Sequence, residues 1–266
     1  MKIVFFGTPH FVIPILEVLE ENFEVIAVVT ASDSPVKNYF KNNVLPPEKL
    51  DLDFEKELKK LKADLLVVAA YGKIIPLSIL NAAEHGALNI HPSLLPKYRG
   101  ASPIQQAILN GDKKTGVSII KMDEKMDHGP IVFSKEFEIL ENDTFETLSL
   151  RLFYETSQFL PTVIKDFIDG KIKLEAQNDN LATFCSIIKK EDGYFELRAS
   201  LSLEKLERME KAYYPWPGAW TKWNGKILKF LPGKVIQVEG KRPVSYQDFI
   251  NGYPNLDKKL LSLLNY

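Results

Sequence analysis

The sequence predicts an α/β domain built on a parallel sheet with helices on both faces, followed by a small, mostly β second domain. Three observations predict it. Short, continuously apolar runs at residues 2–6, 24–30 and 64–70 alternate with helical patterns, as buried parallel strands do. A polar, patternless stretch at 171–181 reads as a linker. Beyond it come short strand-like runs, with a rigid Tyr214-Pro215-Trp216-Pro217-Gly218 turn before them. The division expected is therefore 1–170, a linker at 171–181, and 182–266.

Each element has its own local reason. After the strand at 2–6, Gly7-Thr8-Pro9 turns the chain, and Phe11, Ile15, Val18 and Leu19 give helical spacing over 9–20, with Pro14 tolerable in its first turns. A charged helix is expected at 54–61, a short strand at 86–90 and a helix at 103–109. Strands follow at 116–122 and 131–139. Asp143 and Glu146 have the spacing of a capping box before one long helix to about 168, closed by Asp169-Gly170. In the last third, a helix is expected at 203–211 and strands at 219–223, 226–231 and 234–239.

Bulk properties narrow the class. The chain has 266 residues, 45% hydrophobic and 26% charged, as an ordinary globular protein does. Its single cysteine, Cys185, excludes a disulfide within the chain and a zinc site built on cysteines, and fits a reducing compartment. The apolar stretch near residue 1 is too short for a signal peptide, and no run approaches the ~20 residues that span a bilayer, so a cytoplasmic protein without a membrane partner is expected. Charge is uneven: residues 182–266 hold 14 basic and 9 acidic side chains, while the rest carries a net −6. A basic C-terminal part suits a polyanionic partner, although an asymmetry of this size also arises by chance.

Few residues stand out as carriers of chemistry. Asn89 and His91 lie where a strand should end, two residues apart, so their side chains point the same way. The ends of parallel strands are where α/β proteins bind ligands. An amide that can hold an oxyanion beside an imidazole that can accept a proton suits acyl transfer. The same pair also reads as a loop asparagine and a capping histidine. Leu94 and Leu95, within Ser93–Pro96, could line a pocket for a flat ring or simply tuck into the core. Asp127 precedes His128-Gly129-Pro130, a turn, where an aspartate often caps locally; brought to His91, it would orient the imidazole. His10 and His85 read as structural or exposed, Cys185 as a buried apolar residue, and Gly7-Thr8 has too few glycines for a phosphate loop.

Taken together, NIHPSLLPKYRGASPIQQAILNGDKKTGVSIIKMDEKMDHGPI resembles the signature of the folate-dependent formyltransferases. MKIVFFGTPHF, VVAAYGKIIP, ATFCSIIKKEDGYF, AYYPWPGAW and GKRPVSYQDFINGY are most similar to the branch acting on methionyl-tRNA. The resemblance implies a Rossmann-like catalytic domain and a small OB-like β domain. It implies that 10-formyltetrahydrofolate donates the formyl group and that the amino group of initiator methionyl-tRNA receives it, for translation initiation. The sugar-nucleotide N-formyltransferases, sharing the same donor, are the alternative. It further implies a catalytic trio of Asn89, His91 and Asp127 converging at the sheet's carboxyl edge. Folate contacts would come from Tyr71, Gly72, Lys73 and Ile74 and from Ser93, Leu94, Leu95 and Pro96, with no metal and a monomeric chain. Two departures from the family stand out. The Gly/Arg/Lys-rich loop expected after the second strand is cut to Thr30–Lys37, and the C-terminal β domain is shortened around 233–242. Recognition of tRNA must then draw on Lys189, Lys190, Lys222, Lys226, Lys229, Lys234, Lys241 and Arg242.

Overall fold

A computed structural model describes residues 1–47, 49–197 and 201–265; Tyr266, the end of the expected second domain, lies outside them. The chain forms two compact units. One comprises Met1–Pro103, Lys114–Glu138 and Ser149–Cys185; the other comprises Ile104–Lys113, Ile139–Leu148 and Ser186–Tyr266.

The first unit holds β1 (Lys2–Gly7), β2 (Glu24–Val29), β3 (Val44–Leu45), β4 (Leu65–Ala69), β5 (Ala87–His91), β6 (Arg99–Gly100), β7 (Lys114–Lys121), β8 (Ile131–Glu138) and β9 (Phe184–Cys185). Seven of these make one sheet in the order β3-β2-β1-β4-β5-β7-β8. The first five run parallel, and β7 and β8 are antiparallel to their neighbours. Every residue of β4, and of β1 from Ile3 to Phe6, is buried, which is why these strands are apolar on both faces. The chain leaves β1 toward β2 on one side and reaches β4 on the other, so the switch point of the topology lies between β1 and β4. The loops after β4 and β5 leave the same edge side by side, because Val68 pairs with Asn89 and Ala69 with Ile90.

Two helical expectations change. The long helix is two helices, Phe145–Ser157 and Leu160–Ile168. Pro161 has no N–H to donate and its ring crowds the carbonyl of Ser157, so the first helix stops there. The cap also lies one residue later than Asp143 and Glu146. Thr144 Oγ1 accepts from the Thr147 N–H at 3.2 Å, and Thr147 Oγ1 accepts from the Thr144 N–H at 2.9 Å. Asp143 instead accepts from the Leu140 N–H at 2.8 Å, closing the preceding turn.

The second unit contains the helix Leu203–Ala212 and an antiparallel sheet of β10 (Ala219–Trp223), β11 (Lys226–Leu231), β12 (Val235–Val238) and β13 (Val244–Ser245). Two short helices, Tyr246–Gly252 and Lys258–Leu264, follow it. Among the described residues no helix is long and apolar enough to cross a membrane.

Candidate active site

Asn89 and His91 project from the last turns of β5 toward one side, as strand alternation requires. Asp127 reaches them by an unexpected route. Because β7 is antiparallel to β5, its last residue Lys121 pairs with Leu88, near where β5 begins. The connection 122–130 therefore has to fold back along β5. Two details hold that course. Gly129 passes so close to Lys121 that a Cβ would stand 1.9 Å from its carbonyl oxygen, and Asp127 adopts a left-handed φ of 49°.

The three side chains then meet. Asn89 Nδ2 donates to Asp127 Oδ1 at 3.1 Å, and His91 Nδ1 lies 3.6 Å from the same oxygen. Asp127 Oδ2 accepts the backbone N–H of Gly100 at 2.8 Å. Gly100 has φ 120° and packs so tightly on β9 that a Cβ would meet the Cys185 oxygen at 2.1 Å. His91 is 3% exposed, and its Nε2 stands 2.9 Å from the Tyr98 carbonyl. A carbonyl only accepts, so Nε2 carries a hydrogen; in the neutral imidazole Nδ1 then keeps its lone pair on the side of Asp127. At 3.6 Å the imidazole and carboxylate are beyond a good hydrogen bond but within the reach of one small adjustment, as in enzyme sites before substrate binds. The arrangement can therefore accept a proton at Nδ1 and stabilise the resulting cation, while Asn89 keeps a second N–H for a developing oxyanion.

The expected folate segments divide by exposure. Ser93 is fully buried and its hydroxyl donates to the Lys97 carbonyl at 2.6 Å; Leu95 is buried, with its N–H on Ser118 Oγ at 3.0 Å. Tyr71 packs edge-on against Phe6 at 5.3 Å, and burial pushes its phenol up to about 12. These three side chains face the interior. Surface is offered by half-buried Leu94 and Pro96 and by Gly72, Lys73 and Ile74, the last 81% exposed. The exposed isoleucine and the half-buried leucine stand on neighbouring loops of one sheet edge, beside exposed Gly72 and Lys73. That combination suits a ring with apolar faces and polar edges.

Sequence reasoning gave no role to Gly100, Tyr98, Arg99 or Gln177. Arg99, only 4% exposed, donates from Nε and Nη2 to Gln177 Oε1 at 3.0 and 2.8 Å, and from Nη2 to Asp179 Oδ1 at 2.8 Å. That hydrogen bond holds the Asp179 carboxyl below its ordinary range. An arginine beside a glycine in a loop that follows a buried strand is a usable signal; Gln177 sits in the stretch read as linker and carries none. Cys185 is buried on β9, its thiol 3.5 Å from the Tyr98 and Arg99 carbonyls and pushed up by burial, so it behaves as a packing residue. Among the described residues no group of three or more His, Cys, Asp or Glu is placed to hold a metal ion.

Comparison with known proteins identifies the family. Residues 1–164 match the model of the formyl transferase family, and residues 187–236 that of the formyl transferase C-terminal domain. A methionyl-tRNA formyltransferase of Caldanaerobacter subterraneus is 39% identical over 260 residues, covering 91% of this chain and 84% of the relative. A solved sugar N-formyltransferase from a Shewanella species superposes with a TM-score of 0.72 at 18% identity, covering 87% of this chain and 96% of its own. HypX of Aquifex aeolicus, solved with tetrahydrofolic acid, has a TM-score of 0.70 at 16% identity, covering 96% of this chain and 48% of its own.

Proposed function

The chain belongs to the formyl transferase family, and from that premise we propose that it moves the formyl group of 10-formyltetrahydrofolate onto the amino group of initiator methionyl-tRNA. The reading places it in the cytoplasm as a monomer, with Asn89, His91 and Asp127 as its catalytic residues. The observation that carries the chemistry is the meeting of all three at Asp127 Oδ1. The substrate rests on 39% identity to a methionyl-tRNA enzyme across nine-tenths of the chain, against 18% to the sugar enzyme.

In this mechanism the amine nitrogen attacks the formyl carbon and the carbonyl oxygen takes negative charge. Asn89 donates its second amide hydrogen to that oxygen. His91 Nδ1 accepts the proton that the amine loses, and Asp127 then holds the imidazolium. The bond from the formyl carbon to N10 breaks, and N10 takes a proton relayed from this pair. The products are N-formylmethionyl-tRNA and tetrahydrofolate. Folate would lie against Leu94, Pro96 and the exposed tip Gly72–Ile74.

The C-terminal sheet supplies the polyanion-binding surface in this reading. Register sorts its lysines. Trp220 pairs with Lys229 and Lys222 with Ile227, so Trp220, Lys222 and Lys229 share one face. Lys226 pairs with Trp223 and belongs to the opposite face, at the hairpin end. Lys190 Nζ lies 5.9 Å from the centre of the Trp220 ring, extending the first face. Lys241 is engaged with the Tyr253 hydroxyl at 2.8 Å. A face of three lysines around a tryptophan suits phosphate and base together.

The test offers the purified chain 10-formyltetrahydrofolate with methionyl-tRNA, and separately with an amino-sugar nucleotide. Formylation of the tRNA is expected. Formylation of the sugar alone would overturn the proposed acceptor, and no transfer to either would overturn the activity.

A further inference from the structure

Asp127 holds a left-handed backbone, a conformation that costs an L residue free energy and that its partners here offset. One of those partners stands 50 positions away. Gln177 Nε2 donates one hydrogen to the Asp127 carbonyl and the other to the Gly129 carbonyl, both at 2.8 Å. Its Oε1 faces two N–H groups of the buried Arg99. The amide has only this orientation, because the flipped one would set its donors against a guanidinium and its acceptor against two carbonyls. Arg99 immediately precedes Gly100, whose N–H holds the Asp127 carboxylate. The turn is thus gripped twice from the same short strand: its side chain through Gly100, its backbone through Arg99 and Gln177. His128 Nδ1 lies 2.6 Å from Asp123 Oδ2, and its Nε2 is 3.5 Å from Oδ2 of Asp179, whose Oδ1 accepts from Arg99.

We propose that Gln177 is a positioning residue for formyl transfer: its two amide hydrogens fix the Asp127–Gly129 turn so that the Asp127 carboxylate faces Asn89 and His91. Arg99 holds Gln177 in the orientation this needs. Gln177 touches no reacting atom; it acts through Asp127. The role in turnover rests on the formyl-transfer reading of the site, while the grip on the turn stands on the hydrogen bonds alone.

The experiment has two readouts. The first is a double-mutant cycle in single-turnover kinetics. Partners that orient a functional side chain are commonly worth ten- to a hundredfold, so Gln177→Ala should lower kcat by about that factor and leave KM for the folate within about twofold. In an Asp127→Asn background the same change should cost under about threefold, because the group it serves is already lost. Gln177→Glu keeps the contact with Arg99 but sets an acceptor against the two carbonyls; it should lose kcat at least as the alanine variant does. Multiplicative losses in the cycle, or full activity in Gln177→Glu, would overturn the proposal. The second readout needs no turnover: amide hydrogen exchange at Gly100, bonded to Asp127 Oδ2, should quicken in both Gln177 variants. An unchanged rate there would overturn the proposal whatever acceptor the enzyme uses, whereas an inactive parent with faster Gly100 exchange would count against the formyl-transfer reading only.

Discussion

Two carboxylates, one in each unit, meet opposite fates. Asp127 sits at the end of β5 in the first unit with both oxygens accepting N–H hydrogens, from Asn89 and from Gly100. Glu210, on the helix Leu203–Ala212, is 2% exposed and has the Tyr246 hydroxyl as its donor at 2.8 Å. Burial pushes Glu210 up to about 7, with Glu207 adding to the rise and Tyr246 and Lys211 opposing it. Two N–H donors fit a carboxylate to act on a neighbour; deep burial with a single hydroxyl donor raises the other and leaves it tying a helix to a tyrosine.

The most damaging test of that contrast is at the proposed catalytic residues. Asn89→Ala removes the proposed oxyanion donor and one of the two N–H groups bonded to the Asp127 carboxylate, and kcat should fall about 10²–10³-fold, as in other oxyanion holes. Folate binding, followed by fluorescence titration, should stay within about threefold. Asp127→Asn should likewise cost far more in kcat than in melting temperature; a large loss of stability with little loss of rate would erase the distinction from Glu210.

Glu210→Gln should do the reverse. The group titrates at about 7 when folded and near 4.5 when unfolded. Between those values the folded chain keeps a proton that the unfolded chain has released, so stability is fully present below pH 4.5, falls as pH rises to about 7, and is level above. The total is about 3 kcal/mol. The glutamine variant keeps a partner for Tyr246 and loses the titration. Denaturant melts at pH 5 and pH 8 should show the parent weakening and the variant unchanged, with formyl transfer intact in both. A parent whose stability rises over that interval would refute the assignment.

A smaller effect separates the two faces of the C-terminal sheet. Replacing Lys222 and Lys229 together with Gln should weaken tRNA binding, and should reduce the slope of log affinity against log salt by up to about 2. Lys226→Gln, on the opposite face, should change neither by much. Equal effects from both variants would mean that charge, not the face, decides binding.

Much of this was legible along the chain because periodicity is local. Continuous apolar runs announced the buried strands, and 219–223, 226–231 and 203–211 lie within a residue or two of β10, β11 and the helix Leu203–Ala212. The spacing of Asn89 and His91 put them on one side of a strand, since alternation depends on two residues and nothing else. Near neighbours could still mislead. Asp143 and Glu146 had the spacing of a cap, but the backbone there begins its helix one residue later and Thr144 takes the role. Lys222, Lys226 and Lys229 looked alike until pairing with Trp223 placed Lys226 across the sheet.

What no window of sequence could hold is the set of partners made by folding. Asp127 meets Asn89 across 38 residues and Gln177 across 50, and Thr183 accepts the Tyr98 N–H across 85. Such contacts depend on strand order and on how the connection 122–130 doubles back. The alternation of residues therefore chose the groups that face the cleft, and the packing of distant segments chose their distances, the tautomer of His91 and the grip on Asp127, because a hydrogen bond is specified by where two atoms arrive and not by the path between them.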